Sequence, residues 1–303
     1  MLFYACTLLY WAAIYIFMPI LPPYAQRVGG SLQSVGWVMS AYGLAQLVLR
    51  IPLGIFSDRL RRRKPFILLG FFLAAVGSIG LIFSGSVVML FLSVFMVGVA
   101  ASMWVPFIVL YSSYFPPVLL GQSMSILLFF MRLSQILSNY SGGAIAEAAG
   151  WTAPFYAAAI LSFIGLFLAM GIREKRPEEN SQSFLDRFLT VVRTPGVLLV
   201  SVLAVFMQFV NFSTTYGFTP IYAQQLGASK GDLGTLLLTY MVPNVIGTFM
   251  AGPLTGRFRE RFIIFLSFLL VAGAALCTPL ADRLPLLYWI QALNGLGVGL
   301  LFP

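Results

Sequence analysis

Long apolar runs alternate with short polar breaks along the whole chain. The runs, each roughly 20 residues, occupy 2–21, 32–55, 66–85, 88–112, 121–145, 153–172, 196–218, 231–254, 262–281 and 284–303. A helix of that length crosses a hydrocarbon core of about 30 Å. No water reaches the backbone there, so each segment must satisfy its own N–H and C=O groups, as a helix does. The runs are too long and too evenly apolar for barrel strands, whose residues alternate between lipid and lumen. The pattern predicts an all-α, polytopic membrane protein whose spans are joined mostly by short loops.

The pattern also repeats. The stretch Pro22-Pro23-Tyr24-Ala25-Gln26 lies over Pro220-Ile221-Tyr222-Ala223-Gln224 at an offset of 198. In that register Gly29 meets Gly227, Ser31 meets Ser229, Gly36 meets Gly234, Tyr42 meets Tyr240 and Gly54 meets Gly252. Arg59, Arg61 and Arg63 meet Arg257, Arg259 and Arg261; after a one-residue slip, Gly98 meets Gly295 and Pro106 meets Pro303. Duplicated membrane halves are the build of many secondary transporters, with the substrate path between the copies. The chain divides into a first half over 1–172 with six spans, a polar linker over 173–195 and a second half over 196–303 with four. Symmetry with the first half predicts two further helices, which reads the chain as part of a twelve-helix protein. The first run is not a cleavable signal, because it lacks a basic flank and a small-residue cleavage site.

Composition and charge sharpen this picture. Hydrophobic residues make up 60% of the chain and charged ones 9%, against about 25% charged in soluble domains. The net charge of +9 is distributed by side rather than in a patch. Arg59, Arg61, Arg62, Arg63, Lys64, Arg173, Lys175, Arg176, Arg187, Arg193, Arg257, Arg259 and Arg261 fall on one side of the predicted topology, and Arg27, Lys230 and Arg283 on the other. The positive-inside rule then puts the N-terminus and the even-numbered loops in the cytoplasm, with the protein in a plasma membrane. Nothing combines basic residues with the interleaved aromatics or groove-reading helix that nucleic acid needs. Cys6 and Cys277, far apart and inside apolar runs, read as small core residues rather than a disulfide. In the linker Phe184, Leu185, Phe188, Leu189 and Val192 recur at helical spacing; an amphipathic helix on the membrane surface and a solvated tether both fit.

Polar residues inside the spans are the candidate chemistry. Arg132 lies halfway along the fifth span, where an arginine costs about 3 kcal/mol or more. With Gln135 and Asn139 it forms an i, i+3, i+7 stripe on one helix face. The chain has no histidine, and no acid falls deep in any span, so Arg132 has no evident internal counter-ion. Either it faces a watery cavity and holds an anionic substrate group, or it pairs with backbone carbonyls or with further helices; the stripe favours the cavity. Gln46 and its repeat counterpart Asn244 put a carboxamide at one depth in both halves. Arg50 is eight residues before Asp58, about 12 Å along the helix; snorkelling of its stem to the inner surface and a role in binding both fit. With no histidine, no deep acid and no cysteine cluster, no enzyme site assembles. No phosphate-binding glycine loop or other cofactor motif is present.

The loop Gly54-Ile55-Phe56-Ser57-Asp58-Arg59-Leu60-Arg61-Arg62-Arg63-Lys64 resembles the signature between the second and third helices of the major facilitator superfamily. The two-copy layout and the loop order extend that resemblance over the chain. Arg61 stands where the family has its second glycine, and the second copy has Gly256 in place of the acid. Gly54 is expected to let two helices approach closely. The resemblance implies a cytoplasmic latch made by Gly54, Asp58, Arg59 and Arg62, with Arg63 and Lys64 as topology anchors. It also implies that the first, fourth, seventh and tenth helices line a central cavity, which adds Gln208, Asn211, Gln291 and Asn294 as substrate contacts. Tyr10, the counterpart of Gln208, and Trp104 would supply an aromatic wall. Val94 replaces an arginine that the family links to proton movement. The run Ser138-Asn139-Tyr140-Ser141-Gly142-Gly143 lacks the proline of drug–proton antiporters.

The resemblance thus implies a secondary active transporter that moves a small organic solute by alternating access. The partners implied are that small-molecule substrate, the lipid bilayer and a coupling ion, with the protein a monomer. An organic anion fits Arg132. A multidrug-type efflux transporter coupled to protons is the alternative, and a transporter-like receptor without flux is the alternative from another class.

Overall fold

The computed structural model describes residues 1–60, 62–174 and 195–301. Arg61, the patterned part of the linker through Phe184 and Val192, and Pro303 lie outside the described residues. The first half contains α1 (Leu2–Tyr15), α2 (Leu21–Arg27), α3 (Leu32–Leu60), α4 (Lys64–Ile82), α5 (Val87–Ser102), α6 (Trp104–Ser112), α7 (Leu120–Ala149) and α8 (Ala153–Met170). The second contains α9 (Pro195–Asn211), a π-helical stretch (Phe212–Phe218), α10 (Thr219–Gln225), α11 (Lys230–Thr255), α12 (Glu260–Cys277) and α13 (Leu284–Leu301). Among the described residues, nine helical segments are long and apolar enough to cross a membrane. The first predicted span is instead broken into α1 and α2 by a turn over Ile16–Ile20. The seventh is interrupted at the matching place by the π stretch, since Ile16–Ile20 corresponds to Thr214–Phe218 in the repeat register.

The repeat is reproduced bond by bond. The Gly30 N–H donates to the Ala25 carbonyl at 3.1 Å, and the Ala228 N–H donates to the Ala223 carbonyl at 2.9 Å. Between those bonds Gly29 and Gly227 hold φ of +96° and +89°, a left-handed region where a side chain would be strained. The next helix starts on a serine in both copies. In the second, Ser229 accepts from Asp232 N–H at 3.2 Å while Asp232 accepts from Ser229 N–H at 2.9 Å, a reciprocal cap that fixes the start of α11. Further on, the place of a Gly98 Cβ lies 2.6 Å from the Tyr42 carbonyl oxygen, and that of Gly295 meets the carbonyl of Tyr240. The two glycines that the register pairs therefore make the same backbone approach, α5 on α3 and α13 on α11.

Within the first half α3 and α4 pack on α5, α4 on α8, and α1 on α7 and α8; in the second α11 and α12 pack on α13. Outward-facing apolar side chains such as Leu47, Phe83, Phe249, Leu276 and Trp289 are at least 70% exposed, a surface suited to lipid rather than water. Cys6 is buried, but Cys277, expected in the core, is exposed at the end of α12. Gly54 is buried, yet a Cβ there would meet nothing within 4 Å, so the helix approach expected at Gly54 occurs at Gly98 and Gly295 instead.

The halves meet through α7 on α11, α3 on the π stretch and α2 on α10. These contacts lie toward one end of the molecule, where Arg27 and Lys230 stand 5.9 and 5.5 Å from the ring of Trp151. The other, basic end carries Arg59, Arg62, Arg63 and Lys64. There α7 exposes Ile126, Leu128 and Phe129, and α9 exposes Val197, Leu198 and Leu199.

Candidate functional site

The interruptions in the first and seventh spans place side chains against a cavity of about 230 Å³ between the halves. Arg132 of α7, Gln208 and Asn211 of α9, and Asn244 of α11 contribute its polar lining. Tyr15, Phe212, Tyr216, Tyr240, Met241 and Val298 contribute the rest. Arg132 is half-buried and donates from Nη1 to Gln135 Oε1 at 3.3 Å. The six described acids, Asp58, Glu147, Glu174, Asp232, Glu260 and Asp282, all sit at helix ends or in loops. The ion pairs among the described residues are Arg63–Asp58 and Arg283–Asp282, so Arg132 brings its charge to the cavity without a described carboxylate. The buried Oδ1 of Asn211 has no hydrogen-bond partner among the described residues, while Asn244 donates to the Gly295 carbonyl at 3.4 Å.

The rest of the stripe supports Arg132 from behind. Gln135 and Asn139 are buried, and Asn139 Nδ2 donates to the Gln135 carbonyl at 2.7 Å and to Met241 Sδ of the other half at 3.3 Å. Gln291 and Asn294 of α13 are buried outside the lining, Asn294 donating to Thr215 Oγ1 of the π stretch at 2.9 Å. Gln46 is half-buried on α3 and does not line the cavity, unlike its counterpart Asn244.

The aromatic wall comes from residues other than those expected. Tyr10 and Trp104 are buried inside the first half, where Tyr10 donates to the Ala100 carbonyl and packs edge-on against Phe71. The cavity is walled instead from the segments where the first and seventh spans break. Tyr15 meets Tyr216 edge-on at 6.0 Å, Phe212 stacks on Tyr216 at 5.3 Å, and Tyr42 stacks on Phe212 at 5.8 Å. Two of these contacts cross between the halves and roof the cavity on its closed side. The signal that could have found them was Tyr240, a repeat-matched aromatic one helical turn before Asn244.

At the basic end Asp58 pairs with Arg63, Nη2 to Oδ1 at 3.0 Å. Lys64 Nζ donates to the Met170 carbonyl at 2.6 Å. Glu174 accepts from the backbone N–H of Arg63 and, at 3.2 Å, from that of Lys64. Tyr114 donates to the Arg173 carbonyl, and burial followed by the Glu174 charge raises its phenol above the ordinary value. Arg63 and Lys64, set aside as anchors, thus have these partners, while Arg59 and Arg62 are exposed. These contacts tie the loop to the first half and to the start of the linker, and among the described residues none of them reaches the second half.

The Major Facilitator Superfamily model matches residues 3–226 and again 201–303. Among solved structures, a bacterial homolog to the human lysosomal transporter Spinster, inward-facing and unoccupied, aligns with a TM-score of 0.78 at 16% identity over 99% of this chain and 73% of that one. A nucleoside transporter, NupG, aligns at 0.77 with 14% identity over 99% of this chain and 81% of its own. A D-xylose-proton symporter aligns at 0.68 with 15% identity over 98% and 79%. These likenesses share the two-halved helical fold built here from the repeat, and the family match runs from the third residue to the last: this chain belongs to the major facilitator superfamily of membrane transporters.

Proposed function

We propose that the protein is a secondary active transporter that carries a small organic anion across the plasma membrane by alternating access of its two halves. The observation that carries this reading is Arg132, a guanidinium at a membrane-depth cavity with no described carboxylate beside it. Such a charge is costly unless something offsets it, and a bound carboxylate or phosphate does so through the two parallel bonds that a planar guanidinium offers. The unpartnered oxygen of Asn211 supplies an acceptor for a hydroxyl or N–H on the same molecule. Tyr15, Phe212, Tyr216 and Tyr240 supply apolar faces for its carbon frame. The names of two fold neighbours, a xylose symporter and a nucleoside transporter, support a small organic solute. The basic end faces the cytoplasm in this reading, and the cavity opens toward it. The aromatic walls and Met241 favour, as a second reading, efflux of apolar ring compounds.

The test is flux into proteoliposomes for a panel of carboxylates and their uncharged amide analogues. Arg132→Gln is expected to lower carboxylate flux or affinity by at least about tenfold, the scale of a lost hydrogen bond to a charged group. Arg132→Lys, which keeps the charge but loses the fork, should fall between. Equal transport of acids and amides, unchanged by either substitution, sinks the anion reading and leaves the apolar one. Binding without flux would make the protein a receptor.

A further inference from the structure

Two opposite charges at the closed end each sit at the unfavourable terminus of their own helix. Glu147 lies in the last turn of α7 (Leu120–Ala149), where free carbonyls carry partial negative charge. Lys230 is the first residue of α11 (Lys230–Thr255), where free amides carry partial positive charge. Among the described residues, each finds its partners across the interface. Glu147 Oε2 accepts from the backbone N–H of Lys230 at 2.9 Å and of Gly231 at 3.3 Å. Lys230 Nζ donates to the Ala146 carbonyl at 3.1 Å and stands 5.5 Å from the centre of the Trp151 ring. The helices come close enough because Gly143 and Gly234 face each other: a Cβ on Gly143 would lie 2.6 Å from the Gly234 nitrogen.

We infer that Glu147 and Lys230 form a reciprocal lock between the halves, which must break each time the closed end opens. The lock differs from an ordinary ion pair in what separation costs. When the helices part, each charge loses a favourable helix terminus and is left facing only the unfavourable one of its own helix. Each charge therefore weighs on the open state as well as the closed one. Glu147 shares α7 with Arg132, 15 residues or about 22 Å away, so one rigid helix carries both the lock and the cavity's charge.

The reporter is a cysteine at Ile221, which is 3% exposed at the closed end in α10. It is placed in the full chain with Cys6 and Cys277 replaced by serine, purified in detergent, where both ends are accessible. The rate of labelling by a water-soluble maleimide then reports opening of that end and needs no substrate. Glu147→Gln is expected to raise the rate about two- to fivefold, the scale of one charge at a helix end, with an unchanged melting temperature. Lys230→Gln, altering the other helix, should do the same, and it decides the matter if Glu147→Gln fails to fold. The double variant E147K/K230E separates a lock from an ion pair. Exchange gives each charge the favourable end of its own helix and the wrong end of its partner's, so labelling should be faster still. Single variants that label at the parental rate, or an exchange that restores the slow rate, would overturn the proposal.

Discussion

The same reciprocal contact is built twice in this molecule, once inside a half and once between halves. At the basic end Glu174, just after α8, caps the start of α4, while Lys64, the first residue of α4, returns to the Met170 carbonyl at the end of α8. At the opposite end Glu147 caps the start of α11, while Lys230, the first residue of α11, returns to Ala146 at the end of α7. The chemistry is alike; what differs is everything else that joins the two helices. α4 and α8 belong to one half and share a packed core, with the fully buried Phe71 ring lying over Gly165. α7 and α11 belong to different halves and touch from Asn139 to Glu147. A contact between elements already fixed to one another acts as a staple. The same contact between bodies that must part acts as a lock.

The largest expected effects come from placing one lesion on each side of that division. A Cβ on Gly98 would lie 2.6 Å from the Tyr42 carbonyl oxygen, and one on Gly143 would lie 2.6 Å from the Gly234 nitrogen. Both obstacles are backbone, so neither is relieved by a rotamer change. Gly98→Val is inside a half and should cost about 3 kcal/mol of stability, read as a lower melting temperature and poor expression. Gly143→Val is between halves and should leave melting near the parent's while denying the closed state. Labelling of the Ile221 reporter should then rise about tenfold or more. Equal loss of stability in both would erase the distinction between staple and lock.

The sequence carried the architecture because a two-fold pattern of apolar runs and glycine registers is repeated far beyond chance alignment. It carried Arg132 because a charge in a long apolar run stands out at once, and Gln135 and Asn139 because helical spacing groups them with it. The cavity's aromatic wall was not legible. Tyr10 and Tyr15 are both aromatic residues in one apolar span, and only the break at Ile16–Ile20 decides which one meets Tyr216 of the other half. Gln46 and Asn244 look equivalent in register, yet Asn244 lines the cavity and Gln46 does not, because the cavity lies nearer the second half's helices. Glu147 was invisible for another reason. A lone acid at the end of a span reads as a solvated residue until the partner helix is brought to it.

A smaller effect is expected at the staple. Glu174→Gln keeps the shape of the cap on α4 but removes its charge, costing about 1 kcal/mol, read as a modest fall in melting temperature. Because α4 and α8 do not move apart with the halves, labelling of the Ile221 reporter should stay at the parental rate. This is the reverse of the pattern expected for Glu147→Gln. Faster labelling in Glu174→Gln would mean that the basic-end clasp also biases the closed end, and the two contacts would then differ in degree rather than in kind.

The smallest effect on stability is expected at Asp58, whose importance under the latch reading lies in a state other than this one. Its side chain is 46% exposed and its ion pair with Arg63 stays inside one loop, so Asp58→Asn should cost only about 0.5 kcal/mol. The expected outcome is nearly normal melting and expression with a several-fold loss of flux in proteoliposomes. The reason is that a carboxylate at this edge can exchange Arg63 for a group on the other half when the basic end closes. Arg63→Gln tests that exchange against the simpler alternative. If Asp58 matters only through its bond to Arg63, the two variants must lose flux to the same extent. If it changes partners, Arg63→Gln should retain most of its flux, because the carboxylate is still free to engage the second half, while Asp58→Asn loses it in every state. Matching losses would make the loop a second staple, leaving the Glu147–Lys230 contact as the lock between the halves.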